Sequence, residues 1–139
     1  MSTHPKEQPA VWWAIGLVGT HLLVTLLHGA IHSVLAIPAT AGDTLFRVVV
    51  ITLLPVASVP LLRRRAKVGA VLLALAMGAS LVYGAVNHFL IAGPDHIMAI
   101  TALDGQMAFT ITAILLFMLE TGSTLLGIWI WLPHPPVQR

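Results

Sequence analysis

The stretch His21-Leu-Leu-Val-Thr-Leu-Leu-His28-Gly-Ala-Ile-His32 places three histidines inside an apolar run that extends from Val11 to about Ile37. That run is long enough to cross a bilayer, which takes about 20 helical residues. It is too long for the apolar core of a signal peptide, which has about 7–15 residues. At 100° per residue, His28 and His32 lie within about 20° of His21 around a helix. The run therefore predicts a membrane-spanning helix with a stripe of histidines on one face.

The composition of the whole chain supports this assignment. Of 139 residues, 58% are hydrophobic and 9% are charged, and the mean hydropathy is +0.93. A soluble domain usually has about 25% charged residues, so we expect an integral membrane protein with one domain. The absence of cysteine excludes disulfides, thiolate metal sites and iron–sulfur clusters. The formal net charge of +2 is too small to indicate a nucleic-acid partner, and we expect none.

Three further apolar runs follow the first, each bounded by polar or proline-containing connections. We predict that they span the membrane over about residues 44–62, 68–93 and 105–132. The expected fold is therefore an all-α, four-helix transmembrane bundle that forms a single domain over residues 11–132. Two tails remain, 1–10 and 133–139. We expect the first tail to be disordered because it is short and polar and contains two prolines.

Most of the basic residues lie at one end of this arrangement. Lys6, Arg139 and the segment Arg63-Arg64-Arg65-Ala-Lys67 share one side, whereas Arg47 lies on the other. The positive-inside rule therefore predicts that both termini and the central loop are cytoplasmic. We expect the protein to reside in a prokaryotic cytoplasmic membrane. The loops near residues 38–43 and 94–104 would then lie outside the cytoplasm.

The outer half of the predicted bundle is rich in residues that bind metal ions. His28 and His32 have the i, i+4 spacing that lets two imidazoles on one helix reach a single ion. His88 lies at a similar depth in the third run, and Asp95-His96 follows in the next loop. Three histidines with a carboxylate suit a divalent transition metal such as zinc, copper, nickel or iron. We predict a metal site for metal handling or transport, with these ligands: His28, His32, His88, Asp95 and His96.

The segment His88-Phe-Leu-Ile-Ala-Gly-Pro-Asp95-His96 also carries a resemblance. It resembles the His-then-Asp-His signature of nickel and cobalt permeases and their relatives, in which Gly-Pro before Asp-His also occurs. More residues separate the first histidine from Asp-His here than in those permeases. The resemblance implies that this segment binds a transition metal.

Haem b is a second interpretation of the same residues. A bis-histidine haem between two membrane helices needs one imidazole on each helix at a similar depth. His28 and His88 meet that condition, and Gly29 and Gly84 would leave room for the macrocycle. The protein would then be a b-type electron-transfer protein or a subunit of a quinol-linked complex. We favour a metal ion by a small margin, because the sequence offers more donors than haem needs.

Two further classes of function remain open. Glu120 and His21 are predicted to lie near the middle of the bilayer, where a buried carboxylate is costly, so we expect them to pair. With Tyr83 they are candidate catalytic residues for acid–base chemistry on a lipid or isoprenoid substrate. Alternatively, the chain is a structural accessory subunit. Four short spans form a thin bundle, so we expect a homo-oligomer or a place in a larger membrane complex.

Overall fold

The computed structural model describes residues 7–100 and 103–133, and the regular structure within these ranges is entirely helical. Four helices are long and apolar enough to cross a membrane. They are the first helix, Glu7–Val34, the second, Ala41–Arg64, the third, Ala66–Leu90, and the fourth, Leu103–Trp131. The predicted all-α fold with four spans is confirmed. The orientation of the termini stays a prediction.

The first helix begins earlier than expected. It starts at Glu7, within the segment that the sequence predicts to be a disordered tail. Pro9 does not prevent this, because the first N–H groups of a helix have no intrahelical partner in any case. Residues 1–6 lie outside the described residues, and so do residues 134–139 of the second predicted tail.

Large apolar side chains cover the outside of the bundle. In a water-soluble protein so much exposed apolar surface would be anomalous, whereas contact with lipid accounts for it. The most exposed of these side chains include Trp13, Leu23, Val34, Leu75, Leu90 and Met98.

We call the end of the bundle that carries Arg63–Arg65 the basic end, and the opposite end the histidine end. The basic end is packed around small residues: a Cβ at Gly69 would overlap the backbone of Leu62, and one at Gly127 would lie 2.9 Å from the carbonyl oxygen of Ala70. Helices therefore meet here almost backbone to backbone, as small residues allow in membranes. The buried core of this end consists of Ala10, Ala14, Val18, Leu62, Ala70, Leu73, Met77 and Ile130.

Two helices contain π-helical segments, Arg47–Leu53 and Ala85–Leu90. The first lies just before Pro55, which has no N–H to continue the usual ladder. In the second, the N–H of Ile91 bonds the carbonyl of Val86. A π turn holds more residues than an α turn and so changes the direction of the side chains it carries. Arg47 and His88 both belong to these segments.

Candidate metal centre

The imidazoles of His28, His32 and His88 converge at the histidine end. One nitrogen from each ring lies within 4.8 Å of the other two, and all three residues are buried. His28 and His32 are one turn apart on the first helix, whereas His88 comes from the π-helical segment of the third. We call these three residues the histidine cluster. Its donors and spacing could hold a metal ion.

The His28 ring is oriented by a hydroxyl on the fourth helix. Nδ1 of His28 lies 2.7 Å from Oγ1 of Thr112. That hydroxyl also lies within bonding distance of two backbone carbonyl oxygens, of Ala108 at 2.8 Å and of Phe109 at 3.0 Å. Since its single hydrogen goes to a carbonyl, the Thr112 oxygen accepts from the Nδ1–H of His28. The Nε2 lone pair of a neutral His28 then faces the cluster.

The His88 ring is oriented in the same way by the loop that follows it. Its Nδ1–H donates to the backbone carbonyl of Asp95 at 2.9 Å. A carbonyl can only accept, so the proton of a neutral His88 is on Nδ1 and the lone pair is on Nε2. Histidine ligands of metals commonly bind the ion through one nitrogen while the other donates to a carbonyl or carboxylate.

The His32 ring carries its proton on the other nitrogen. Arg47 donates from Nη1 to its Nδ1 at 3.3 Å, so a neutral His32 carries its proton on Nε2. That nitrogen lies 3.2 Å from Nε2 of His28 and 3.0 Å from Oδ1 of Asp95. The Nε2–H of His32 therefore points into the space between the other donors.

The Asp95 carboxylate borders the cluster with one satisfied oxygen and one unsatisfied oxygen. Its Oδ2 accepts from Nη2 of Arg47 at 2.9 Å. Its Oδ1 is buried and has no hydrogen bond of acceptable geometry among the described residues, although nitrogens of His32 and His88 lie within 3.5 Å. Burial acts to raise the pKa of this carboxyl, but the contact with His32 and the charges of His88 and Arg47 together lower it below the ordinary 3.8.

Phe109 forms an apolar wall against the cluster. Its ring centroid lies 4.8 Å from that of His28, 5.2 Å from that of His32 and 5.4 Å from that of His88. The side chain is completely buried. Phe109 thus shields this side of the three imidazoles from solvent.

His96, the fifth predicted ligand, is not among the three residues whose nitrogens converge. Its Nδ1 accepts from the backbone N–H of Met98 at 3.1 Å, and its Nε2 lies 3.4 Å from the carbonyl oxygen of Phe89. The structure therefore brings together four of the five predicted ligands. The ligand role of His96 stays a prediction without such geometric support.

The predicted contact between Glu120 and His21 is present. Oε1 of Glu120 lies 3.3 Å from Nε2 of His21, and both residues are buried. Tyr83, the third candidate catalytic residue, is engaged elsewhere: its hydroxyl donates to Oδ1 of Asp43 at 3.0 Å, and its ring stacks on Phe46. The catalytic roles stay predictions.

A cavity of about 310 Å³ joins the histidine cluster to Glu120. Gly84 lines this space, and a Cβ there would make ordinary contacts, 3.7 Å from Oε2 of Glu120 and 3.8 Å from Cδ2 of His88. The cavity lining is mainly apolar.

Sequence reasoning missed two residues of the site, Thr112 and Phe109. Neither residue stands out in the sequence. A threonine on a membrane helix usually bonds back to a carbonyl of its own helix. A phenylalanine is common on any apolar face. Both are recognised only once the fourth helix is placed against the first.

No family model, no curated protein and no solved structure matches this chain. The short resemblance to nickel and cobalt permeases is thus not accompanied by a family match.

Proposed function

We propose that this protein is a membrane metalloprotein that holds one divalent transition-metal ion at the histidine cluster. The observation that carries the proposal is the orientation of His28 and His88. Each ring presents its Nδ1–H to an oxygen acceptor at 2.9 Å or less, so the lone pair that could bind an ion is on Nε2. Two imidazoles oriented in this way are the arrangement that metal-binding histidines adopt.

Asp95 and His32 would complete the ligand set. Oδ1 of Asp95 is buried, forms no hydrogen bond of acceptable geometry among the described residues, and lies within 3.5 Å of two cluster residues, so it is placed to bind an ion beside them. His32 would bind through Nε2 in its other neutral tautomer, with the proton moved to Nδ1, and Arg47 would then no longer donate to that nitrogen. Three nitrogens and one oxygen form a four-coordinate set suited to zinc and to other borderline ions.

The packing at the basic end favours a retained ion over a transported one. Between the cavity and that end lies the core of small residues, with Gly69 and Gly127 in near contact with neighbouring backbone. An ion at the cluster would have no path through this core without separation of the helices. We therefore propose a resident metal centre, with metal handling at the histidine end, in preference to a transport pathway.

Haem b fits the same residues less well. A macrocycle ligated by His28 and His88 would have to lie between the two rings, whose centroids are only 5.1 Å apart. His32 and Phe109 pack against both rings in that region. Accommodating haem would require the first, third and fourth helices to move apart, whereas an ion would draw together nitrogens that already lie within 4.8 Å of one another.

The test is elemental analysis with an absorption spectrum of the purified protein, oxidised and dithionite-reduced. We expect about one equivalent of a transition metal per chain and no Soret band. His28→Gln and His88→Gln should abolish metal retention. His134→Ala, which changes a histidine of the C-terminal tail, should retain the metal and serves as the matched control.

Three other results would overturn the proposal. A Soret band that disappears in both His28→Gln and His88→Gln would establish haem. Equal metal loss from His28→Gln and His134→Ala would show nonspecific binding. A metal-free protein that takes up no zinc, copper, nickel or iron on titration would leave the cluster as a hydrogen-bonded structural feature.

A further inference from the structure

We infer that the metal ion enters the histidine cluster from the aqueous side, through a pocket at the histidine end that Arg47 closes in the metal-free protein. The inference rests on the proposed metal centre and adds the route by which the ion arrives and the residue that controls it. Three observations carry it: where the pocket opens, which residues separate it from the cluster, and which partners hold Arg47.

The pocket lies among the connections between helices at the histidine end and has a volume of about 360 Å³. Part of its lining comes from residues 38–40, between the first and second helices, and from residues within 91–95, after the third helix. These segments lie outside the four membrane-spanning helices, and most of their lining residues are exposed. The pocket, which we call the outer pocket, therefore opens toward water, where hydrated ions are available.

The inner side of the outer pocket reaches the proposed ligands. Asp95 lines the outer pocket, and its Oδ1 lies 3.0 Å from Nε2 of His32. Arg47 and Tyr83 line both the outer pocket and the cavity that the histidine cluster borders. These two side chains therefore separate the outer pocket from the cluster.

Of the two, Tyr83 is fixed and Arg47 is free to move. The ring of Tyr83 stacks on that of Phe46, with centroids 4.7 Å apart. The Arg47 side chain is 27% exposed, and its guanidinium is held by Oδ2 of Asp95 at 2.9 Å and by Nδ1 of His32 at 3.3 Å. Because an arginine side chain has many rotamers, it can leave these partners without a movement of the helices.

An arriving ion competes with Arg47 for both of its partners. In the proposed site His32 carries its proton on Nδ1, and that nitrogen no longer accepts from Arg47. Asp95 binds the ion, whose positive charge repels the guanidinium. Asp43, four residues earlier on the same helix and also in the outer pocket, is an alternative partner for Arg47. Metal entry therefore displaces Arg47, and Arg47 in turn slows metal entry.

The experiment measures how fast zinc enters and leaves the protein in lipid nanodiscs. Uptake by the metal-free protein is followed by stopped-flow fluorescence of a zinc indicator. Release is followed after zinc-loaded protein is mixed with excess chelator, and the affinity is measured by competition at equilibrium.

Two substitutions narrow the outer pocket from different sides. Gly93→Phe places a ring in it, and nothing lies within 4 Å of a Cβ at Gly93, whose φ is not positive, so phenylalanine is accommodated. Ala39→Phe acts from the connection between the first and second helices, away from Asp95 in the chain. Gly19→Phe is the matched control, since the space at Gly19 is equally open and this glycine does not line the outer pocket.

We expect Gly93→Phe and Ala39→Phe to slow uptake and release by the same factor, at least about tenfold, and to leave the affinity unchanged. An obstructed path has this effect because it hinders passage equally in both directions. Arg47→Gln should speed uptake by at least about tenfold. Gly19→Phe and Arg64→Gln, which changes an exposed arginine at the basic end, should exchange zinc at the wild-type rates.

The inference is overturned if the two pocket variants exchange zinc at the wild-type rates, if they lose affinity without a matched loss of both rates, or if Arg47→Gln does not speed uptake. These results would leave the proposed metal centre intact as long as the wild type binds zinc and His88→Gln does not. A wild-type protein that binds no zinc would refute both the metal centre and its route of entry.

Discussion

Nδ1 of His28 lies 2.7 Å from the hydroxyl oxygen of Thr112, although the two residues belong to the first and fourth helices and are 84 positions apart in the chain. The bond has a direction, since the hydroxyl gives its hydrogen to a backbone carbonyl and can accept from the imidazole. It therefore sets both the angle of the ring and its tautomer. The metal centre proposed here depends on such bonds as much as on the ligands themselves.

Thr112→Val should weaken metal binding while preserving the fold. Valine has nearly the same shape as threonine but offers no oxygen to His28, so the ring loses its fixed tautomer and orientation. Loss of such a partner typically costs about 10–100-fold in metal affinity. Competition with a chelator of known affinity would measure the change.

Thr121→Val is the matched control for that substitution. Thr121 lies on the same helix, is half-buried, and bonds back to the carbonyl of Phe117 at 2.8 Å. Its replacement should leave the metal affinity unchanged. If Thr112→Val and Thr121→Val lost similar metal affinity, the Thr112 hydroxyl would act by stabilising its helix and not by orienting His28.

Arg47→Gln should increase the stabilisation that metal confers. In the metal-free protein Arg47 balances Asp95 at 2.9 Å, so its removal should lower the free energy of unfolding by about 1–3 kcal/mol. A bound divalent ion would then balance the carboxylate in its place, without a neighbouring cation to repel it. Differential scanning calorimetry should therefore give a larger zinc-induced rise in Tm than for the wild type.

Arg64→Gln, a change of an exposed arginine at the basic end, is the control for Arg47→Gln. Arg64→Gln should show the same zinc-induced rise in Tm as the wild type. If zinc raises the Tm of Arg47→Gln less than that of the wild type, Arg47 assists binding, and the assigned role is wrong.

The stabilisation by Asp95 should persist to unusually low pH in the metal-free protein. Its pKa in the folded state is below the ordinary 3.8, because the surrounding histidines and Arg47 outweigh the effect of burial. The contribution is therefore fully present above about pH 4 and is lost as the pH falls through the folded-state pKa. The stability difference between the wild type and Asp95→Asn should not decrease between about pH 6 and pH 4 and should narrow below. A difference that already vanishes near pH 5 would contradict the lowered pKa.

Gly69→Ala should destabilise the bundle. An added Cβ would overlap the backbone of Leu62, which cannot move as a side chain can, and overpacking of this kind costs about 1–3 kcal/mol or more. Gly122→Ala is the control, because nothing lies within 4 Å of a Cβ at that glycine of the fourth helix. Unfolding in mixed detergent micelles should show a loss for Gly69→Ala and none for Gly122→Ala. If the two variants were equally stable, the close approach at Gly69 would not be a tight contact.

The fold could be predicted from the length and position of the apolar runs. Each run is long enough to cross a bilayer and is ended by proline or by charged residues, so few arrangements other than four spans remain for this chain. The pairing of Glu120 with His21 followed from their similar depth. The i, i+4 spacing of His28 and His32 likewise placed two cluster members on one face. These inferences use only local periodicity and position along a span.

The rest of the site depends on tertiary geometry that no local pattern carries. Depth along the span predicted that His88 joins the cluster, but not that its ring reaches the cluster from a π-helical segment. Arg47 comes from another such segment on the second helix. The placement of His96 depends on the path of the loop after Leu90, where its ring meets backbone groups of Phe89 and Met98.

The most direct test of the central claim is X-ray absorption spectroscopy at the zinc edge on the zinc-loaded protein. The account predicts one ion per chain with about three imidazole nitrogens at roughly 2.0–2.1 Å and one further oxygen ligand, and loss of an imidazole contribution in His88→Gln. A shell made only of oxygen atoms, or a spectrum that His88→Gln leaves unchanged, would contradict the assignment of the histidine cluster as a metal centre.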